Sequence, residues 1–208
     1  MDKITEKGML LIISGPSGSG KGVVLKELLP SDNFALSVSV TTRRPRAGEV
    51  HGKDYFFCTT EQFFDKIKND ELLEHATFVG NYYGTPRAYV QEQIDAGKTV
   101  VLEIDVNGAL QVKEKFPESV LIFLMPPTMQ ELRGRLVGRN TETAETIEDR
   151  LHRASEEVKL IEKYDYLVIN DEVKTAVNKI RLIAQVERLK PCRSGYAVKL
   201  FNKERNSC

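Results

Sequence analysis

The 208-residue chain lacks most marks of a secreted, membrane or nucleic-acid-bound protein. Its three cysteines, Cys58, Cys192 and Cys208, are far apart and form no CxxC pair. Neither a disulfide framework nor a zinc site is indicated, and reduced thiols in a cytoplasmic protein are expected. Its 30 Lys and Arg are balanced by 30 Asp and Glu, so any basic site must be local, and a nucleic-acid partner is not expected. The histidines His51, His75 and His152 share no metal-like spacing. No apolar run is long: residues 9–13 and 120–125 fall well short of the roughly 20 residues of a membrane span. Asp2 and Glu6 interrupt the N-terminus, so no signal peptide is expected. No internal repeat or low-complexity block is present. Whether the chain is a monomer or a homo-oligomer stays open.

What is present is a rhythm of short apolar runs and helical patterns. Residues 9–13, 100–104, 120–124 and 166–169 read as buried core strands, with 35–40 as a fifth. Helical spacing follows at 21–29, 106–115 and 173–188. This is an α/β pattern, with a five-stranded parallel sheet flanked by helices. Two stretches break the rhythm. Residues 37–85 hold short strand-like pieces (55–57, 72–78, 82–85) around one helix near 61–68, as in a small mixed α/β insertion. Pro86 then opens a helix that Gly97 closes. Residues 127–164 are helical and highly charged, with a break at 138–141 and a capping box expected at Thr128-x-x-Glu131. By charge alone this pair is as well a solvated hairpin as a lid. The expected core is 1–36, 86–126 and 165–190. The tail, 191–208, is either disordered or docks as a short strand through 196–201.

Gly15-Pro16-Ser17-Gly18-Ser19-Gly20-Lys21 follows the first strand and opens the first helix. Glycines there let backbone N–H groups converge on a phosphate, and the helix N-terminus adds free donors. Lys21 can reach the β- and γ-phosphates. The strict pattern then has Ser or Thr for Mg²⁺, whereas this chain has Gly22.

Arg43, Arg44 and Arg46 stand within four positions around Pro45. In a chain of zero net charge such a cluster wants an anion, and guanidinium forks suit phosphate. With Thr41-Thr42-Arg43, Pro45-Arg46-Ala47-Gly48-Glu49 and Gly52-Lys53-Asp54-Tyr55, the sequence resembles guanylate kinases. So do Glu74, Asn81-Tyr82-Tyr83-Gly84, Glu103-Ile104-Asp105, Arg139-Asn140-Thr141-Glu142-Thr143 and Ile169-Asn170-Asp171. The resemblance runs from about residue 8 to 189 and leaves out the tail.

It implies a P-loop kinase core, a GMP-binding insertion and a helical lid, with ATP as phosphoryl donor and Mg²⁺. Arg43, Arg46, Tyr55 and Tyr83 would bind the GMP phosphate. Ser39, Glu74 and Thr85 would contact guanine, with Asp105 nearby. The residues from Gly15 to Gly22 would hold ATP, with Arg135 against adenine and Asn170 near its edge. Arg139 and Arg150 would reach the ATP phosphates, sharing the catalytic work with Lys21 and Arg46. Family members often have Asp where this chain has Glu103, which leaves Glu103, acting through water, as the metal candidate. The chemistry agrees. Guanine offers N1–H and an amine side by side, which one carboxylate accepts, whereas adenine offers a lone pair at N1. Guanylate-kinase-like modules that bind phosphopeptides are the rival reading, but they commonly have a degraded phosphate loop. This chain keeps residues 15–21 and its arginines.

Overall fold

The computed structural model describes residues 7–30, 33–138, 143–193 and 201. Strand β1, Met9–Ser14, is buried along its whole length. Its side chains alternate between two cores, as a strand between two helical layers requires. Met9, Leu11 and Ile13 face one apolar cluster, and Leu10 and Ile12 the other. Each such aliphatic side chain contributes about 1.5–3 kcal/mol by leaving water. The first cluster is closed by helices α1 (Lys21–Leu28) and α7 (Val173–Arg188), the second by α3 (Arg87–Asp95) and α4 (Val106–Lys115).

The central sheet has five strands. Strand β2 is Phe34–Leu36, β7 Thr99–Glu103, β8 Val120–Met125 and β9 Tyr166–Ile169, in the order β2-β7-β1-β8-β9. Every pairing is parallel, as the sequence pattern leads one to expect. A parallel sheet gathers the C-terminal ends of its strands at one edge, and ligands of open α/β sheets bind there.

A second sheet holds strands β3 (Val40–Thr41), β4 (Phe56–Phe57), β5 (Leu72–Phe78) and β6 (Asn81–Pro86) in the order β4-β3-β6-β5. It packs on helix α2, Thr60–Lys68, through Val40, Phe63 and Leu72. The expected strand over 35–40 is therefore two strands in two sheets. Ser37 N still donates to Val101 O at 2.9 Å, while Ser39 O already accepts from Phe56 N at 2.9 Å. The backbone changes partner within two residues, and side-chain periodicity carries no trace of that.

Helices α5 (Met129–Val137) and α6 (Ala144–Val158) form an antiparallel-type pair with a small core of their own: Leu132, Leu136, Ile147, Leu151 and Ala154. The capping box expected at Thr128 is half made. Thr128 Oγ1 accepts from Glu131 N at 3.1 Å, but the Glu131 carboxylate turns to Arg135 Nε at 3.0 Å. The complete box is at Thr59 and Gln62, heading α2. The tail, left open between disorder and a docked strand over 196–201, lies almost wholly outside the described residues.

Candidate active site

The chain leaves β1 at Ser14 and turns through residues 15–20 into α1. Gly20 holds the N-cap position at φ 90° and offers no capping side chain, so nothing competes with an anion for the first-turn N–H groups. A Cβ on Gly20 would stand 2.5 Å from Asn170 Nδ2. That amide donates to Ser19 O at 2.8 Å and ties the loop to the end of β9. Lys21 Nζ bends back over the loop, donating to Gly15 O at 2.6 Å and Pro16 O at 3.1 Å. The ammonium therefore already stands at the mouth of the turn. Asn170 is buried, and its Oδ1 has no hydrogen-bond partner. A buried acceptor left so costs about 1–3 kcal/mol, which an incoming N–H would recover.

The α5–α6 pair reaches this loop from above. Arg135 donates through Nη2 to Asn170 O at 2.8 Å and through Nη1 to Ser19 O at 3.4 Å. Arg150 Nη1 donates to Ser17 Oγ at 2.9 Å. Two of the three arginines singled out in this region thus meet at residues 17–19. Arg139 lies outside the described residues.

In the second sheet, Arg43 follows β3. Its Nη2 pairs with Glu49 Oε1 at 2.8 Å, and its guanidinium carbon lies 5.3 Å from the centre of the Tyr55 ring. Glu49 also accepts from Arg46 N at 2.8 Å. Glu49 was quoted in the sequence motif without a role; its spacing of three from Arg46 and six from Arg43 was the available signal. The Arg43–Glu49 hydrogen bond raises the guanidinium's pKa and lowers the carboxyl's. Tyr55 and Tyr83 meet edge to face at 6.1 Å. Tyr82 points the other way and stacks on Phe63 at 5.6 Å, as alternation along β6 requires. Ser39, half-buried, stands just before β3.

Two residues beyond Tyr83 on the same face of β6, Thr85 Oγ1 donates to Glu74 Oε1 at 2.7 Å. Glu74 is 4% exposed. Burial pushes its pKa up to about 7, against the Thr85 hydrogen bond and with the nearby charge of Asp105. Asp105 caps α4 by accepting from Gly108 N at 2.8 Å. The Glu74 carboxyl thus sits at the positive end of α4, where a carboxylate is favoured.

Glu103 joins the two halves. It ends β7, beside β1, two residues before Asp105. Its carboxylate oxygens lie 3.9 and 4.0 Å from where a Cβ on Gly22 would stand. An oxygen donor therefore occupies the neighbourhood of the missing Ser or Thr hydroxyl. Burial raises the Glu103 pKa, and Lys21 opposes that. Carboxylate, phosphate oxygens and water suit Mg²⁺, so Glu103 fits as one outer contact. Among the described residues no group of three His, Cys, Asp or Glu would hold a metal alone.

Comparison with known proteins identifies the family and the fold. The family model described as guanylate kinase matches residues 7–187. The guanylate kinase of Lactococcus lactis is 54% identical over 183 residues, covering 88% of this chain and 89% of the relative. That of Halalkalibacterium halodurans is 56% identical over 186 residues, covering 89% and 91%. A crystal structure of guanylate kinase from Anaplasma phagocytophilum superposes with a TM-score of 0.70 at 38% identity, covering 91% of this chain and 90% of that one.

Proposed function

Because the chain belongs to the guanylate kinase family, we infer that it transfers the γ-phosphoryl group of ATP to GMP, giving ADP and GDP. The observation that carries this is the buried Glu74–Thr85 pair at the head of α4, joined through Asp105 and Glu103 to the phosphate loop. Such a pair reads a base bearing adjacent N–H donors, and the loop holds a triphosphate.

Residues 15–22 cradle the donor phosphates with backbone N–H groups, and Lys21 moves from its loop carbonyls to the β- and γ-oxygens. Arg135 and Asn170 border the adenine. Arg43, Arg46, Tyr55 and Tyr83 hold the acceptor phosphate, whose anionic oxygen needs no base. Ser39, Thr85 and Glu74 read guanine, with Asp105 fixing the helix end beside them. As that oxygen bonds to the γ-phosphorus, the bond to the bridging β-oxygen breaks and ADP leaves. Charge passes across three oxygens in transit, and Arg139 and Arg150 cover it from the α5–α6 lid. Mg²⁺, when bound, neutralises charge on the donor phosphates, and Glu103 would contact it through water. On this reading dGMP serves as well as GMP, since no assigned residue reads the 2′-hydroxyl. The balanced charge and reduced cysteines support a cytoplasmic setting, and no described helix is long and apolar enough to cross a membrane.

The test is ADP release with GMP, AMP or UMP as acceptor. GMP should exceed the others by at least about 10³-fold in kcat/KM, and Lys21→Ala should remove most turnover while leaving the melting temperature near that of the parent. Equal use of AMP, or an active Lys21→Ala, would refute the assignment.

A further inference from the structure

Strand β5 is an edge of its sheet, and edge strands leave backbone groups unpaired. Here helix α4 lies along that edge. Gly108, Gln111 and Lys115 recur at spacings of three and four, on one helix face, and each meets β5 in turn. A Cβ on Gly108 would stand 3.2 Å from Glu74 Oε2 and 3.3 Å from Asp105 Oδ1. Gln111 takes both backbone groups of His75: Oε1 accepts from His75 N at 3.3 Å and Nε2 donates to His75 O at 3.4 Å. Lys115 Nζ donates to Leu72 O at 3.0 Å and to Asp70 Oδ1 at 3.0 Å.

The register of β5 against β6 shifts between Leu72 and His75. That bulge turns the Glu74 side chain towards α4, and bulges beside active sites commonly re-aim a side chain this way. A bulge also has slack, because the extra residue has no ladder partner. Lys115 holds the residue on one side of it and Gln111 the residue on the other. The edge strand is thus pinned to the core at both shoulders of the bulge, with Glu74 between.

We propose that Gln111 is a positioning residue for base recognition: by bonding the His75 backbone it holds the bulge so that the Glu74 carboxyl stays against Gly108 and Asp105, aimed at the donor edge of guanine. This rests on the reading of Glu74 as the base reader. Gln111 touches neither substrate. Its two bonds are at the long end of the hydrogen-bond range, so losing them shifts the bulge rather than unfolding the sheet.

The test is Gln111→Met, which keeps the length and removes both bonds, with Gln111→Ala beside it and Glu74→Gln as reference. IMP, which lacks the exocyclic amine, is the competing acceptor. For both Gln111 variants the KM for GMP should rise about tenfold, as loss of two modest hydrogen bonds implies, and the GMP-over-IMP ratio in kcat/KM should fall. The KM for ATP should stay within about twofold, whereas loosening of the whole site would raise both KM values and partial unfolding would lower kcat and move neither. If Glu74→Gln moves the ratio and neither Gln111 variant does, the inference falls and the reading of Glu74 stands. If Glu74→Gln leaves the ratio alone, both fall. Equal rises in both KM values would also overturn it, since the role would then be structural.

Discussion

The Glu74 carboxyl is held at a pKa of about 7, raised from 4.5 by burial, with Asp105 adding to the rise and Thr85 and Lys115 opposing it. Between those two values the folded chain binds more of this proton than the unfolded chain does. Glu74 therefore stabilises the fold below about pH 4.5, and that contribution is lost as pH rises through about 7. Guanine recognition runs the other way, because only the carboxylate accepts both N1–H and the amine. On the proposed reading of Glu74, GMP binding releases a proton near neutrality. The KM for GMP should fall as pH rises from 6 to 8, beyond what the substrate phosphate itself explains, and Glu74→Gln should leave only the phosphate's share. The same variant should flatten the stability profile between pH 4.5 and 7. A GMP profile identical in parent and variant would show that Glu74 does not titrate on binding.

At the scale of elements, helices at 106–115 and 173–188 and the strand at 166–169 were legible to the residue, because amphipathic spacing marks the helices and a short apolar run the strand. The phosphate loop was legible because glycines and a lysine between strand and helix have few other uses. What stayed hidden was set by partners distant in sequence: the change of sheet at 37–39 and the bulge before His75. The α5–α6 pair shows the same limit. Its charge left a solvated hairpin and a lid equally open; five of its residues make a core, and α5 also seats on the loop. A Cβ on Gly18, at φ 88°, would stand 2.9 Å from Leu136 Cδ2 and 3.0 Å from Leu132 Cδ1. Gly18→Ala must take on a left-handed backbone, costing about 1–2 kcal/mol, and displace the ends of the Leu132 and Leu136 side chains. A lower melting temperature and a raised KM for ATP are expected, with the KM for GMP little changed. Equal effects on both substrates would mean that α5 and the acceptor site move together.

Over the whole molecule, the described apolar side chains fall into separate clusters: two large ones on the faces of the central sheet, one of five residues between α5 and α6, and one around Phe63 under the second sheet. Polar ties join them: Arg135 and Arg150 to the loop, Gln111 to His75, and Asp70 to Arg87 at 2.8 Å; Leu73 of β5 also packs in the cluster that α3 and α4 close. Exposed ion pairs and single hydrogen bonds each contribute about 1 kcal/mol or less. The α5–α6 pair, packed on its own small core and bonded weakly to the rest, should open before the central sheet. Hydrogen exchange would resolve this. Without ligand, amides of α5 and α6 should exchange well before those of β1, β7 and β8, because five buried side chains protect less than the cores on either face of the sheet. An ATP analogue should slow α5, α6 and residues 15–20 and leave β3, β4 and β6 unchanged, since its proposed contacts lie at Ser17, Ser19, Arg135 and Asn170. GMP should do the reverse, slowing β3, β4 and β6 through Arg43, Tyr55, Tyr83 and Glu74. Both together should slow α6 further than ATP alone, because the phosphates then draw Arg150 and the acceptor arginines towards one another. Protection spreading over all segments with either ligand alone would mean that the chain closes as a single unit, and that the separate cores do not define moving parts.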